Sequence, residues 1–417
     1  MVDKYFPIRT ATSCQLKWNW STIHLYVGDT RSCHRVNGNV ITADTFDTFH
    51  NTPKKLADRA LMLNGEWPKG GCEYCQQIEE AGGSSDRMFH LGIPNLVPNE
   101  LESDPLSTEI TPTILEVYFD NVCNMSCLYC WDGFSSKIQQ ENNKFGNFEK
   151  SGIEIKNNAT KVNNISALTD QMWKWMEQHG HKLKRFHVLG GEPFYQQQFD
   201  YCLEFFNKNP CPDLEFNVVS NLMITSSRLE QHIDKIKMLV AKRKLKRFDL
   251  TVSIDCFGPE QEYVRYGLDL NQWRQNFEYV VSQKWITLNV NQTLSGLTVK
   301  TVPELLQYVN TFRHNREIGH YFSTTVMTYE CLHPEIFGPG FFDNNFAEIF
   351  NNMPDNTWQQ KEARKYMQGI QLQINAKPRN QVKINQLGVL LDEKDRRRGT
   401  NWQTTFPWLI KEMNNVV

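Results

Sequence analysis

Phe248, Leu250, Val252 and Ile254 alternate with Asp249, Thr251 and Ser253, the period-two signature of a strand with one apolar face and a polar face toward something else. Ile286, Leu288 and Val290 repeat the pattern against Thr287, Asn289 and Asn291. Strands are predicted over Ile114–Phe119, Arg185–Leu189, Leu214–Val219, Phe248–Ile254, Ile286–Thr293 and His320–Val326. The segments between them have helical spacing. Leu229, Ile233, Ile236 and Val240 fall on one stripe, and so do Ile165, Leu168, Met172 and Trp175. Thr301 followed by Pro303 and Glu304 reads as a capping-box start for the next helix. This alternation, from about Thr113 to Val326, predicts an α/β fold with a parallel sheet. Polar inward positions suggest an open, curled barrel, with chemistry at the carboxyl ends of the strands.

Two regions break the alternation. Residues 132–164 are rich in Asn, Gln, Ser and Lys with little periodicity, so they read as a long surface insertion or lid. Residues 1–100 have their own character: a strand Thr22–Val27, a Gly28-Asp29 turn, and a helix near Thr52–Asn64 closed by Gly65. The last eighty or so residues read as irregular to helical. The expected division is 1–105, 106–330 and 331–417.

Composition narrows the function. The 417 residues carry a net charge of -2, which argues against a polynucleotide or anionic-membrane partner. The basic runs Lys242–Arg247 and Lys394–Arg398 read as solvated faces. No apolar stretch is long enough for a transmembrane helix, and MVDKYFPIRT lacks the apolar core of a signal peptide. A cytoplasmic location is expected, where thiols stay reduced. The 11 cysteines then point to metal binding or catalysis. Cys202, Cys211, Cys256 and Cys331 are scattered and read as small buried hydrophobes. Cys256, Tyr263, Tyr329 and Cys331 lie near predicted strand ends and are read as structural, not catalytic.

The remaining cysteines are clustered. CNMSCLYC places Cys123, Cys127 and Cys130 in a C-x3-C-x2-C loop just past the first strand of the series. Thiolates suit zinc, copper(I) or iron–sulfur clusters. Three of them on a four-iron cluster leave one iron open to a small chelating molecule; a structural zinc site with a distant fourth ligand is the alternative.

The spacing, with Tyr129 just before the last cysteine, resembles the radical S-adenosylmethionine (SAM) superfamily. Three further segments follow in order: GGEP at Gly190–Pro193, VVSNL at Val218–Leu222 and VSIDCFG at Val252–Gly258. The resemblance implies a partial (β/α)6, TIM-like barrel. Cys123, Cys127 and Cys130 would hold a [4Fe–4S] cluster. Gly190, Gly191 and Glu192 would receive the SAM amino group, while Ser220, Asn221 and Ser253 would be further contacts. Tyr129, Asp255 and Arg265 would be SAM-site neighbours with less defined roles. It also implies reductive cleavage of SAM to a 5'-deoxyadenosyl radical that abstracts hydrogen from an unactivated carbon, with electrons from a donor such as flavodoxin or ferredoxin.

Cys14, Cys33, Cys72 and Cys75 lie in the first quarter. Beside one iron–sulfur site, four such thiols suggest a second, fully ligated cluster, with a zinc-ribbon-like site as the alternative. CQLKWNWSTIHLYVGDTRSC and MLNGEWPKGGCEYC resemble the twitch (short SPASM-like) auxiliary-cluster module, placed before the barrel instead of after it. RRRGTNWQTTFPWL resembles the ending of the same set of proteins. The implied substrate is a peptide or protein side chain. A nucleotide or other small metabolite is the second reading, and a non-enzymatic, zinc-stapled binding module the third.

Overall fold

The computed structural model describes residues 6–80, 85–91, 96–323 and 328–414. The chain forms two units: Met1–Asp120 with Thr160–Val218 and Asp234–Phe248, and Asn121–Ala159 with Val219–Ile233 and Asp249–Val417.

The first unit holds a large, mainly parallel sheet. Trp20–His24 runs parallel to Ile114–Tyr118, which runs parallel to Arg185–Leu189. That strand in turn pairs in parallel with Cys211–Ser220, Arg185 facing Glu215. On the other side, Trp20–His24 turns through Gly28 (φ +68) into the antiparallel strand Asp29–Arg31, which pairs with Asn39–Val40. The N-terminal hundred residues therefore enter the same sheet as the strand Ile114–Tyr118. The helix Pro53–Leu63 starts at Thr52, whose hydroxyl accepts from the Lys55 amide, as the sequence predicts.

Aromatic rings fill this unit. Phe216 lies 5.5 Å from Phe206 and 5.7 Å from Phe248, centroid to centroid, and all three are buried. Each buried phenylalanine contributes roughly 1.5–3 kcal/mol. On the helix Ile165–His179, Leu168, Met172 and Trp175 are buried as their spacing predicts, and Ile165 is half-buried.

In the second unit, Asp249–Ser253 pairs in parallel with Thr287–Asn291, and Asn289–Thr293 with Gly319–Ser323. The strand expected to reach Val326 is seen to Ser323; positions 324–326 lie outside the described residues. Asp249, Thr251 and Ser253, on the polar side of the alternation, are also buried, though slightly less completely than their apolar neighbours. The polar face is therefore an interior one, as in parallel strands covered on both sides.

Three expectations change. The stretch 132–164 contains the helix Ser136–Phe145, capped by Ser135, and the hairpin Phe148–Lys150/Ile153–Ile155. Ile153 and Ile155 reach the core of this unit; their i, i+2 spacing was too short a signal to register. Thr301 precedes the helix Val302–Arg313, but its side chain makes no capping bond, because the residues before it are wound into the 3-10 turn Val299–Thr301. The run Lys394–Arg398 is largely not a solvated face: Lys394, Arg397 and the side chain of Arg398 are buried and paired with acids. Lys242–Arg247 is mostly exposed, and Lys246 and Arg247 pair with Glu215.

The C-terminal part is helical, with Trp358–Asn375, Gln381–Arg398 and Pro407–Asn414 as its main pieces. Ile384, Leu387, Leu391, Phe406 and Leu409 share one core with Leu294 and Val302. Cys202, Cys211, Cys256 and Cys331 are buried, as expected. No helix among the described residues is long and apolar enough to cross a membrane.

Candidate functional site: a cysteine loop on a buried ion pair

The loop Cys123–Cys130 is built by its non-cysteine residues. Met125 and Leu128 are each 1% exposed and anchor it in the second unit, while Cys123, Cys127 and Cys130 are half-buried and in no disulfide. Backbone bonds fix its course: Leu128 N–H donates to Val264 O at 2.7 Å and Cys130 N–H to Cys127 O at 3.1 Å. Cys127 pairs with Arg265 in a short antiparallel ladder. Asn124, which the sequence reading passed over, donates to Met223 O at 2.6 Å and accepts from Asn221 Nδ2 at 3.0 Å. A polar residue inside a cysteine loop was the signal available for it.

Beneath the loop lies a charged network. Asp255 is fully buried and accepts from Arg265 Nε at 2.8 Å and Nη2 at 2.9 Å, from the Tyr129 hydroxyl at 2.6 Å, and from the Thr293 amide at 2.9 Å. Four donors satisfy a carboxylate that burial alone would make costly. The third guanidinium nitrogen, Nη1, lies 3.9 Å from Cys127 Sγ. The structure thus joins Tyr129, Asp255 and Arg265 to one another and to the loop.

Ser220 Oγ accepts from the Leu222 amide at 3.0 Å, and Asn221 Oδ1 from the Met223 amide at 2.8 Å. These two bonds hold the turn in which Leu222 takes φ +56. Ser253 is buried in its strand beside Asn291.

Gly190, Gly191 and Glu192 belong to the first unit. Gly190 has φ +80, and a side chain there would overlap the ring of Tyr118. Glu192 is buried and accepts from the Phe194 amide at 3.3 Å. Tyr118 lies against His24 at 4.2 Å, centroid to centroid, and His24 Nδ1 sits 2.6 Å from Asp29 Oδ1. Sequence reasoning missed this contact chain, although the Gly28-Asp29 turn marked its position.

Cys14 and Cys72 are buried in one apolar cluster against which Cys33 packs. Three segments distant in sequence thus bring these thiols together. Burial, and then the neighbouring Cys33, push the Cys14 thiol up to about 12. Lys17, paired with Asp58 at 2.8 Å, supplies positive charge toward Cys14 and Cys72. His34 Nδ1 lies 4.0 Å from Cys33 Sγ.

Among the described residues, no three His, Cys, Asp or Glu side chains converge as a metal site. The donor chemistry of the loop nevertheless fits an iron–sulfur group: three thiols in no disulfide, with a guanidinium beside one of them. Burial and the neighbouring Cys127 push the Cys130 thiol up to about 12, so a metal would have to displace the proton.

A cavity of about 590 Å³ begins at this loop. Cys130, Trp131 and Asp132 form one wall, the hairpin residues Gly152–Glu154 another, and Val382, Lys383 and Gln386 a third. Its size lies in the range of about 300–1,000 Å³ usual for ligand sites. Sequence alone gave no sign of it, because its lining comes from stretches as far apart as Cys130–Asp132, Gly152–Asn158, Thr328–Cys331 and Asn380–Gln386.

No protein-family model matches the chain, and no curated protein matches it. Solved structures similar to it include SuiB of Streptococcus suis bound to the precursor peptide SuiA, at 12% identity and a TM-score of 0.33, covering 72% of this chain and 61% of that one. SuiB bound to S-adenosylmethionine has the same identity and score, covering 75% and 66%. HemN, the coproporphyrinogen III oxidase of Escherichia coli described as a radical SAM enzyme, again matches at 12% and 0.33, covering 63% and 52%. The chain spans about three fifths of the length of the SuiB chain in its peptide complex.

Proposed function

We infer that the chain is a radical SAM enzyme. The observation that carries this reading is the C-x3-C-x2-C loop of three thiols in no disulfide, anchored by Met125 and Leu128, with Arg265 beside Cys127. Cys123, Cys127 and Cys130 would hold a [4Fe–4S] cluster whose open iron takes SAM. When bound, the cluster and SAM supply reductive cleavage and hydrogen abstraction from an unactivated carbon. The chain's own residues bind and orient. Asp255 fixes Arg265 and Tyr129 against the loop. Ser220, Asn221 and Ser253 are SAM contacts in this reading, and Gly190, Gly191 and Glu192 receive its amino group.

Cys14, Cys33, Cys72 and Cys75 would hold a second [4Fe–4S] cluster in a twitch-like module over 1–105, before a partial barrel over 106–330 and an extension over 331–417. The substrate is a peptide or protein side chain, the location cytoplasmic, and the electron donor a flavodoxin or ferredoxin.

Anaerobic iron and sulfide analysis tests the reading. About eight irons per chain fit two four-iron clusters, and zinc without sulfide would overturn the enzymatic reading in favour of a zinc-stapled module. Reductant plus SAM is expected to yield 5'-deoxyadenosine. Its continued formation after Cys123, Cys127 and Cys130 are all replaced by alanine would overturn the cluster assignment.

A further inference from the structure

The cavity beside Cys130 runs along the edge of a strand. Ile153–Ile155 pairs on one side with Phe148–Lys150, and among the described residues the hairpin is a two-stranded sheet. Successive side chains of a strand point to opposite faces: Ile153 and Ile155 are buried in the core, while the Glu154 side chain is half exposed. Yet Ile153 and Glu154, successive residues of this strand, both line the cavity, with Gly152 of the turn before them. Consecutive lining is what an edge presents; a face would give every second residue.

The lining charges are already matched. Lys383 pairs with Glu330 at 2.6 Å, Lys394 with Glu141 at 2.7 Å, and Lys156 with Glu154. The Asp132 carboxylate accepts from the Asn158 and Ala159 amides. Among the described lining residues, each Lys, Asp and Glu already has such a partner, and Asn142, Asn158, Asn380 and Gln386 also line the space. The hairpin tip is also held: Gln386 Nε2 donates to Ser151 O at 2.9 Å, and a Cβ on Gly152 would lie 2.6 Å from that nitrogen. The cavity is thus formed in advance of any ligand, with the strand edge and Cys130 both in its lining.

We propose that this cavity binds an extended, uncharged peptide segment as a third strand on Ile153–Ile155. Main-chain hydrogen bonds give such sites affinity with little demand on sequence. The binding step stands by itself; only what happens to the peptide beside Cys130 rests on the radical reading above.

The test uses the full chain, purified anaerobically with its metal content recorded, and a random-sequence octapeptide library. Retained peptides are measured by mass spectrometry, and amide exchange is followed at Glu154, the strand residue whose N–H faces away from the hairpin partner. The wild type is expected to retain the library at least tenfold over Glu154→Pro, with slowed exchange at the Glu154 amide of the wild type. The same library with alternate residues N-methylated is expected to be retained at least tenfold less by the wild type, a comparison independent of how the proline variant folds. Equal retention of the methylated library, no retention of either library, or retention of maltohexaose instead would each overturn the strand site. SAM cleavage without peptide retention sinks only this site; peptide retention by a chain holding zinc and no sulfide sinks only the radical chemistry.

Discussion

Arg265 grips Asp255 with two nitrogens, Nε at 2.8 Å and Nη2 at 2.9 Å, and keeps the third for Cys127. The pair is almost wholly inaccessible, so removing one partner leaves an unmatched buried charge. Arg265→Ala is expected to destabilise the chain by about 3–5 kcal/mol. Tyr129→Phe removes one donor from the same carboxylate and is expected to cost about 1–3 kcal/mol. Urea unfolding of both variants checks this, and a loss of under about 1 kcal/mol for Arg265→Ala would contradict the buried network.

Glu141 gives the pH dependence. Burial alone would raise its carboxyl, but Arg398 and Lys394 overcome this and hold it below the usual carboxylate range. A depressed carboxylate contributes stability that is present above its unfolded value, near about pH 4.3, and is lost as pH falls through the folded value. Glu141→Gln is therefore expected to cost about 3 kcal/mol near neutrality. The gap to wild type should narrow as the pH drops below about 4. Unfolding curves across that window read it directly, and a gap independent of pH would refute the pairing.

Gly190 combines φ +80 with the Tyr118 ring in the space a Cβ would need. Gly190→Ala is expected to lose more than about 1 kcal/mol. Adding Tyr118→Ala should recover the overlap component and leave the backbone strain. Thermal melts of the single and double variants separate the two contributions.

The two cysteine groups are predicted to lose iron separately. Replacing Cys14 and Cys72 by alanine should leave about four of about eight irons and retain SAM cleavage at the loop cluster in a single turnover. Loss of all iron would tie the two groups together and overturn their independence.

The periodicity of the chain by itself determined the α/β alternation and the existence of most strands and helices, since side-chain period follows directly from backbone geometry. Spacing likewise marked Cys123, Cys127 and Cys130 as one group, because three thiols within eight positions can be gathered by one local stretch of chain. Tertiary structure decided what sequence distance conceals. Lys394 and Arg398 look like a solvated run until Glu141 is placed against them. The resemblance grouped Tyr129, Asp255 and Arg265 as neighbours of one site, but only folding shows Tyr129 and Arg265 both bonded to the Asp255 carboxylate. The turn of the hairpin, at Ser151, meets Gln386 of the helix Gln381–Arg398 across more than two hundred residues. Burial and charge pairing are properties of neighbours in space, and only the folded chain supplies those neighbours.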